Sequence, residues 1–447
     1  MAKQRNLHGI AGLILLLISQ ALLFRNIEPV ASWFYYCAWW PYILIVDSII
    51  YKIKQNSLIM NRRKEFFLML FWSAVIWTFF ESVNLIMQNW YYTNVIPSKT
   101  IRWIGYVVAY ATVLPGIFET TELLEAAGLF KENRVKPLAV NQGWLTALFA
   151  LGLICLLGVL LSPRYCFPLI WGSLIFLLEP INYLKGGKSL LKDWEQGTVR
   201  KFYLLLTAGL ICGILWEFWN FWARTKWIYT VPFFEELKLF EMPLAGFLGF
   251  PPFAVECYVM YNFISLFRHH RGWEEDNYRL NQGKRVSFPV KVLSFLLGLM
   301  LCLSTFYAMD SRTVNSYWPT LQELQKISPE MIARLASRGI DTPQELLRKA
   351  GTEQERGKLA QELNVAVGEL AGWKKMAELA ELKGMGTVHA NLLVQAGIED
   401  IPSLAKQNPA TLYPALMKLY QGKTTHPPRE AIIRIWVRAA AKTLRNN

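Results

Sequence analysis

The amino-acid sequence predicts an all-α protein: a polytopic membrane bundle of about nine spans, built from a tandem four-span repeat, and a small C-terminal helical domain. Of its 447 residues, 53% are hydrophobic and 18 are tryptophan, a composition typical of membrane proteins rather than soluble domains. Nine apolar runs are each long enough to cross about 30 Å of hydrocarbon as a helix. After residue 310 the apolar positions instead recur at amphipathic helical spacing.

The distribution of basic residues predicts the orientation of the spans. Twenty Lys and Arg lie in the N-terminus and the loops after every second span, and seven in the intervening loops, so the positive-inside bias places the N-terminus in the cytoplasm. Lys3 and Arg5 precede an uncleaved first span, since no small-residue cleavage site follows it. Nine crossings put the C-terminal domain on the outer face; failure of the ninth to cross would return it to the cytoplasm. The predicted spans are 8–24, 30–51, 65–88, 102–126, 143–162, 168–184, 202–223, 242–267 and 289–308.

Two parts of the sequence share one skeleton at a nearly constant offset. The stretch IWTFFESVNLIMQNWYYTNVIP at 76–97 matches ILWEFWNFWARTKWIYTVP at 214–232, and LPGIFE at 114–119 matches PPFAVE at 251–256. Upstream, DSIIY at 47–51 matches EPINY at 179–183. The matched pairs include Glu81 and Glu217, Asn84 and Asn220, Trp90 and Trp227, Tyr92 and Tyr229, Pro115 and Pro252, Glu119 and Glu256, and Asp47 and Glu179. An even number of spans per unit predicts parallel copies related by an axis along the membrane normal.

This repeat divides the chain into predicted segments. Repeat 1 covers 1–126 and repeat 2 covers 142–267, joined by a cytoplasmic linker at 127–141. A basic cytoplasmic loop at 268–288 and a terminal span at 289–308 then lead to the C-terminal domain at 320–447. The six cysteines lie in or beside spans and match neither a zinc site nor a disulfide framework.

The acids inside the spans are the candidate functional residues. A carboxylate in hydrocarbon costs about 2.5–3.5 kcal/mol or more, so such groups normally face the bundle interior, a partner or water. We take Glu81, Glu119, Glu217 and Glu256 as candidate catalytic residues. The candidate substrate-binding residues are Asn84, Asn220, Trp90, Tyr92, Trp227 and Tyr229.

Each of these residue types also has a structural explanation. Glu–Asn pairs serve as polar contacts between helices, and Trp–Tyr clusters at span ends form the aromatic belt. Asp47 and Glu179 lie close to the cytoplasmic end, where solvation is cheap. At about 1.5 Å per residue, straight helices would leave Glu81 and Glu119 too far apart to share a proton, unless a kink at Pro115 or a re-entrant turn at 90–97 brings them together.

The duplicated W-x-Y-T turn followed by a P-x-x-x-E span resembles the small integral membrane lycopene cyclases of bacteria and archaea, over roughly 30–125 and 168–267. That resemblance implies a location in a bacterial or archaeal cytoplasmic membrane. It also implies intramembrane acids that protonate a polyene, without a cofactor, and steer its ring closure. The sequence departs from that family because each glutamate stands alone in P-x-x-x-E and each unit carries an extra leading span.

The C-terminal domain contains the pattern of a helix, a tight Gly-x-Gly turn and a second helix. LKGMGTVHANLLVQAGI at 382–398 fits this pattern with Ala390 and Leu393 inward, and ISPEMIARLASRGIDTPQELL at 327–347 is a degenerate earlier copy with Ser328 as a helix cap. Over about 320–420 the domain resembles a poorly characterised bacterial family of double helix-hairpin-helix domains. In such domains the hairpin amides hold a nucleic-acid phosphate with help from lysines.

The hairpin residues Lys383, Gly384 and Gly386, with Lys374 and Lys375, are therefore the candidate contact residues of this domain. A protein contact is favoured over a nucleic acid, because the net charge is modest and the first copy lacks Gly-x-Gly. We expect His389 to lie on a helix surface.

Two functional hypotheses follow. The first is a protein that binds or processes a membrane lipid or another apolar substrate, of isoprenoid or carotenoid type, in an intramembrane cavity lined by the duplicated acids. The second is a non-catalytic anchor or transporter-like bundle that displays the C-terminal domain to a protein partner. The sequence has no Walker A loop, Rossmann fingerprint or H-E-x-x-H motif, so we predict no metal and no cofactor.

Overall fold

The computed structural model describes residues 7–231, 237–268, 272–274, 286–420 and 427–446. Lys3, Arg5 and most of the predicted basic loop at 268–288 lie outside this range. Nearly all of the regular structure is helical, which confirms the predicted all-α class. The chain separates into two compact units. The bundle unit comprises 1–89, 103–224 and 231–308, and the tail unit comprises 90–102, 225–230 and 309–447.

Up to residue 265 the described chain forms twelve helices, most of them long, and four short strands. In chain order the elements up to residue 265 are α1 (Leu7–Phe24), α2 (Phe34–Lys54), α3 (Leu58–Asn61), α4 (Arg63–Met87), β1 (Trp90–Thr93), α5 (Lys99–Tyr110), α6 (Val113–Ala126), α7 (Gln142–Leu161), α8 (Pro163–Cys166), α9 (Ile170–Lys185), α10 (Leu190–Glu195), α11 (Arg200–Trp222), β2 (Lys226–Tyr229), β3 (Lys238–Leu239), β4 (Met242–Pro243) and α12 (Phe250–Ser265). Short 3₁₀ turns at Phe167–Leu169 and Leu244–Gly249 lead into α9 and α12.

A terminal long helix leads to a series of shorter helices. These elements are α13 (Phe288–Arg312), a 3₁₀ turn at Leu321–Glu323, α14 (Pro329–Ala336), α15 (Pro343–Lys349), α16 (Glu353–Leu363), α17 (Val367–Ala380), α18 (Gly386–Gln395), α19 (Ile401–Ala405), α20 (Pro409–Tyr420) and α21 (Glu430–Asn446).

Eight helical segments of the described chain are long and apolar enough to cross a membrane. They are Leu7–Phe24, Arg63–Met87, Lys99–Ala126, Gln142–Leu161, Pro163–Lys185, Arg200–Trp222, Leu244–Ser265 and Phe288–Arg312. The predicted span at 30–51 is a helix of 21 residues, α2, but is not among the eight. Its tyrosine and tryptophan side chains and Asp47 lower its mean hydropathy.

Burial separates peripheral from central helices in the bundle unit. Only 17% of the apolar window of α1, 22% of α7 and 28% of α13 is buried inside the protein, against 67% of Lys99–Ala126. The exposed side chains of the three peripheral helices are mainly Leu, Ile, Phe and Val. Apolar surface of this extent is what a helix presents to lipid.

The predicted single span at 102–126 is two helices in the structure. α5 ends at Tyr110 and α6 begins at Val113, so the break lies just before Pro115 rather than at it. Proline has no N–H with which to bond the carbonyl four residues earlier, and its ring clashes with that carbonyl. The matched Pro252 likewise occupies the third position of α12.

Glycines let helices of the bundle unit approach closely. A Cβ on Gly213 would lie 2.2 Å from Cγ of Phe250, and one on Gly209 would lie 2.8 Å from Cβ of Ala254. Gly209 and Gly213 are four residues apart on α11, the spacing by which small residues permit close packing of membrane helices. On α6, a Cβ on Gly116 would lie 2.7 Å from the ring of Trp39.

The tail unit has its own hydrophobic core. Leu335, Leu370, Trp373, Leu393 and Trp436 are at its centre, each 2% exposed or less. The cap predicted at Ser328 is present, and Thr342 and Thr352 form capping boxes with Glu345 and Glu355. These caps satisfy N–H groups that have no partner inside a helix and so fix where the short helices begin.

Candidate functional site

The matched acids Asp47 and Glu179 make equivalent contacts in the two halves of the bundle unit. Asp47 accepts hydrogen bonds from Ser57 Oγ at 2.8 Å and Ile59 N at 2.8 Å. Glu179 accepts from Ser189 Oγ at 2.6 Å and Leu191 N at 2.9 Å. Ser57 and Ser189 are the N-caps of α3 and α10.

Each acid therefore anchors the start of a short helix that follows it by ten to twelve residues. Both are buried. These contacts give the two acids a structural role that the sequence did not distinguish.

Glu119 and Glu256, matched by sequence, have different partners. Glu256 is fully buried and its Oε1 accepts the backbone N–H of Leu174, in the first turns of α9, at 2.8 Å. Glu119 is 1% exposed and lies within hydrogen-bonding reach of the Asp47 carboxyl. In the described part of the chain, its two oxygens meet no N–H or hydroxyl donor.

The remaining matched acids, Glu81 and Glu217, lie deep in the bundle unit on α4 and α11, the third long helix of each half. Glu81 and Glu217 are both 0% exposed. Glu81 accepts a hydrogen bond from Trp77 Nε1, one turn earlier on α4, at 2.9 Å. Glu217 is close enough to Tyr35 for an electrostatic interaction, and the Tyr35 hydroxyl lies near Thr112 and Trp216.

The matched asparagines are also buried, and one closes a helix end. Asn84 and Asn220 are both 0% exposed. Asn84 Oδ1 accepts the backbone N–H of Asn89 at 2.9 Å, just beyond the end of α4. The contact fixes the path of the chain as it leaves this helix.

A cluster of aromatic rings fills the interior between these acids. Trp39 packs against Trp216 and Trp219, with ring centroids 5.2 and 4.9 Å apart. Phe253 lies 5.8 Å from Trp216 and 5.7 Å from Trp77. The cluster thus extends from the Trp77–Glu81 pair on α4 to the neighbour of Glu217 on α11. Five helices supply it: α2, α4, α9, α11 and α12, with Trp171 and Phe80 also stacked in it.

Two indole N–H groups in this aromatic cluster, those of Trp39 and Trp216, have no hydrogen-bond partner in the described chain. Trp39 is fully buried, and its indole N–H meets no acceptor in the described chain. A buried donor without an acceptor costs about 1–3 kcal/mol. Such an atom fits a position where a bound molecule supplies the acceptor.

A charged cluster lies where the ends of α6, α10 and α11 meet. Glu274 lies 2.6 Å from Lys201 Nζ and 3.7 Å from Lys188 Nζ. Burial alone would raise the pKa of Glu274, but the charges of Lys201 and Lys188 lower it overall. Burial raises the pKa of nearby Asp193 to about 6. No group of three or more His, Cys, Asp or Glu in the described residues has the arrangement of a metal site.

The W-x-Y-T turns pair with each other in the tail unit. β1 and β2 are antiparallel, with Trp90 opposite Tyr229 and Tyr92 opposite Trp227. The repeat matches Trp90 with Trp227 and Tyr92 with Tyr229. Replacing every residue by its match gives the same set of cross-strand pairs, so a local two-fold axis passes between the central pair, Tyr91 and Ile228. The sequence predicts an outer turn here, with residues of the aromatic belt or of a substrate site, and it missed these strands.

The β1–β2 ribbon is joined to the chain that follows α13. Tyr92 N donates to Thr313 O at 2.8 Å and Val95 N to Ser316 O at 3.1 Å, so residues 313–318 run parallel beside β1. Tyr91 and Ile228 are buried in the hydrophobic core of the tail unit. Burial raises the pKa of Tyr91 to about 12, although the charge of Arg429 opposes the shift.

The predicted hairpin residues lie against this ribbon. Gly384 and Gly386 both have positive φ, 72° and 70°, as a tight turn requires. Gly384 O accepts from Asn315 Nδ2 at 2.6 Å and from Trp436 Nε1 at 3.0 Å. A Cβ on Gly384 would lie 3.3 Å from Ile228, and one on Gly386 would lie 2.8 Å from Ser316. The Gly-x-Gly turn, predicted as a candidate phosphate contact, thus lies against this chain's own ribbon.

The expectation for His389 is wrong. This residue is 4% exposed rather than on the surface. Its Nε2 contacts Asn315 O at 2.8 Å, its Nδ1 hydrogen-bonds to Tyr420, and its ring packs 4.8 Å from Trp436. The sequence predicts a solvent position for a polar residue on a short helix, because it does not show that residues 313–318 return to cover that face.

Sequence reasoning missed several residues that build the site. Trp77 hydrogen-bonds to Glu81, Trp39 and Trp216 belong to the aromatic cluster, and Tyr35 lies near Trp216. Gly209 and Gly213 set the spacing of α11 from α12. The G-x-x-x-G spacing in GLICG, 209–213, was a readable signal for the second feature. The aromatic residues gave none, because tryptophan is frequent throughout the chain.

Comparison with known families identifies one region. Residues 325–443 match the family model of a domain of unknown function, DUF4332, in agreement with the poorly characterised family predicted for this part of the chain. No curated protein and no solved structure matches the chain.

Proposed function

We propose that the bundle unit lies in a membrane and binds a lipidic molecule of isoprenoid or carotenoid type at the aromatic cluster, with the buried carboxylates of Glu81 and Glu217 as its polar contacts. The observation that carries the proposal is one buried set of aromatic rings that extends from Trp77, which donates a hydrogen bond to Glu81, through Phe253 to Trp216, the residue before Glu217 on α11. Flat apolar rings pack well against a flat conjugated chain, and the indole N–H of Trp39 would meet an acceptor on the ligand.

The resemblance to lycopene cyclases adds a reaction to this binding role. By that resemblance, a buried carboxylic acid would protonate the bound polyene and its conjugate base would take a proton back after ring closure. Glu81 and Glu217 are the acids adjacent to the aromatic cluster. Glu119 and Glu256 remain predicted catalytic residues. Glu119 also contacts Asp47, and Glu256 also contacts Leu174, so both have a structural role as well.

The test is extraction and mass spectrometry of the lipids that co-purify with the protein in mild detergent. We expect a conjugated or prenyl lipid in the wild type, at near-stoichiometric amount, and its loss or chemical change in Glu217→Gln and Glu81→Gln. The matched control is Glu132→Gln, which makes the same change at an exposed position. Recovery of only bulk phospholipid from all four proteins would contradict the proposal.

A second candidate function has its own supporting observation. The C-terminal domain and the β1–β2 ribbon share one compact unit and one hydrophobic core. We propose as the alternative that the bundle unit anchors this domain for contact with a protein partner. A nucleic-acid partner is not proposed, because the Gly-x-Gly turn is already in contact with residues of the ribbon.

The shared unit also bears on the predicted localisation. Residues 90–102 lie in the turn between two predicted spans, so a domain that packs with them lies on the same side of a membrane as that turn. The positive-inside bias assigns this side to the outer face. Accessibility of cysteines introduced at exposed positions of the C-terminal domain, such as Glu353→Cys, to an impermeant thiol reagent on intact cells tests this assignment. Labelling only after cell lysis would place the domain in the cytoplasm.

A further inference from the structure

The carboxyls of Glu119 and Asp47 are close neighbours in the bundle unit. Asp47 is 0% exposed, Glu119 is 1% exposed, and their carboxyls lie within hydrogen-bonding reach. Two ionised carboxylates at that separation in a buried site repel strongly, so such a pair retains one proton.

The donors around the pair indicate which residue carries that proton. Asp47 accepts from the Ser57 hydroxyl and the Ile59 N–H, and His8 Nε2 lies 2.9 Å from its Oδ2. Hydrogen bonds of this kind stabilise the ionised form of a carboxyl. Glu119 meets no such donor in the described chain. The proton therefore belongs on Glu119, which donates it to Asp47.

The charged groups around Glu119 do not change this assignment. Glu122, one turn along α6, is held by Arg62 at 2.7 and 2.8 Å and by Lys54 at 2.9 Å. Arg62 thus forms a bidentate pair with Glu122, which offsets its charge near Glu119. Tyr42 also lies near Glu119, and its hydroxyl hydrogen-bonds to Thr120 at 2.7 Å.

The other half of the bundle unit provides an internal comparison. Glu179 makes the same contacts as Asp47, with a serine hydroxyl and a backbone N–H ten and twelve residues later. The counterpart of Glu119, however, is Glu256, which accepts the N–H of Leu174. The paired arrangement therefore belongs to the first half, although the residues that form it are duplicated.

His8 provides a connection from the pair towards solvent. Its side chain is 17% exposed, while Asp47 is fully buried. In the tautomer of His8 that carries its own proton on Nδ1, Nε2 is an acceptor: a proton that leaves Glu119 Oε moves to Asp47 Oδ2 and from there to His8 Nε2, which makes the ring an imidazolium. The total charge of the three groups is unchanged at each step, and reversal of the steps reloads Glu119.

We propose that Glu119 and Asp47 form a proton-holding pair, with Glu119 as the protonated member and His8 as the group that exchanges the proton with solvent. This site is independent of the identity of any lipid ligand. It also needs no metal or second reactant, because the only bond changes are transfers of one proton between carboxyl and imidazole atoms.

Infrared difference spectroscopy on the purified full-length protein tests the assignment. We expect the wild type at neutral pH to show the C=O stretching band of a protonated carboxyl that is absent from Glu119→Gln, and Asp47→Asn to keep that band at a shifted frequency. Glu132→Gln, at an exposed site, is the control and should leave the band unchanged. A band that survives in Glu119→Gln, or that disappears in Asp47→Asn instead, would overturn the assignment.

A second measurement addresses His8 and does not depend on whether Asp47→Asn folds. Transfer to D₂O shifts the carboxyl band as its proton exchanges. We expect His8→Phe to keep the band but slow this exchange at least several-fold. Equal exchange rates in His8→Phe and wild type would show that the proton reaches the pair by another route. Because these readouts need no lipid, they can fail or succeed separately from the ligand experiment.

Discussion

The substitution Gly386→Ala tests the contact between the Gly-x-Gly turn and residues 313–318. Gly386 has φ = 70°, so an alanine there costs about 1–2 kcal/mol for a left-handed backbone. Its Cβ would also lie 2.8 Å from Cβ of Ser316, whose Oγ is held by the backbone N–H of Asn94 at 3.0 Å. This overpacking adds about 1–3 kcal/mol.

Gly397→Ala isolates the second cost. Gly397 has φ = 82°, but a Cβ there meets nothing within 4 Å. Both substitutions reduce the freedom of the unfolded chain in the same way, so that effect cancels in the comparison. The excess destabilisation of Gly386→Ala over Gly397→Ala should therefore be about 1–3 kcal/mol, the overpacking cost alone.

Hydrogen exchange followed by mass spectrometry measures this excess in the intact protein. Peptides from α18 and α21 report opening of the tail unit, and 1–3 kcal/mol corresponds to roughly 5- to 150-fold faster exchange. We expect this difference between Gly386→Ala and Gly397→Ala. Equal exchange in the two variants would refute the reasoning, because it would mean that the turn does not press on residue 316.

Three further predictions concern stability. Ser57→Ala and Ser189→Ala should each lower the free energy of unfolding by about 1 kcal/mol, measured by thermal unfolding in detergent. Losses that differ between the two variants by well over that amount would contradict the equivalence of the two caps. Hydrogen bonds from Ser403 and Lys375 lower the pKa of Asp400 to about 2. Ionised Asp400 should therefore stabilise the tail unit above about pH 4, and this contribution should be lost as the pH falls through about 2. Asp400→Ala should flatten that part of the profile of unfolding free energy against pH. Gly213→Ala should destabilise the bundle unit by about 1–3 kcal/mol, because the new methyl group would clash with Phe250. The control Gly357→Ala, in open space within α16, should be neutral or stabilising. A Gly213→Ala variant more stable than the wild type would exclude close packing of α11 on α12.

The sequence determined the features that depend on neighbouring residues. Apolar runs gave the helical class, because a backbone without water must bond to itself. The cap at Ser328 and the inward positions of Ala390 and Leu393 also followed from local spacing. The matched residues of the two halves were visible as well, since an offset between two stretches needs no structure to be read.

Tertiary structure decided everything that depends on two distant segments meeting. The pairing of β1 with β2 joins two segments that are offset by 137 residues, the distance from Trp90 to its matched residue Trp227. A four-residue strand has too little sequence pattern to be predicted by itself. The burial of His389 depends on where residues 313–318 return. The contact between Glu119 and Asp47 could not be predicted either: Glu256 and Glu179 occupy the matched positions in the second half, yet Glu256 accepts a hydrogen bond from Leu174. Identical local patterns can acquire different partners, because the positions of carboxyl groups are set by the packing of whole helices.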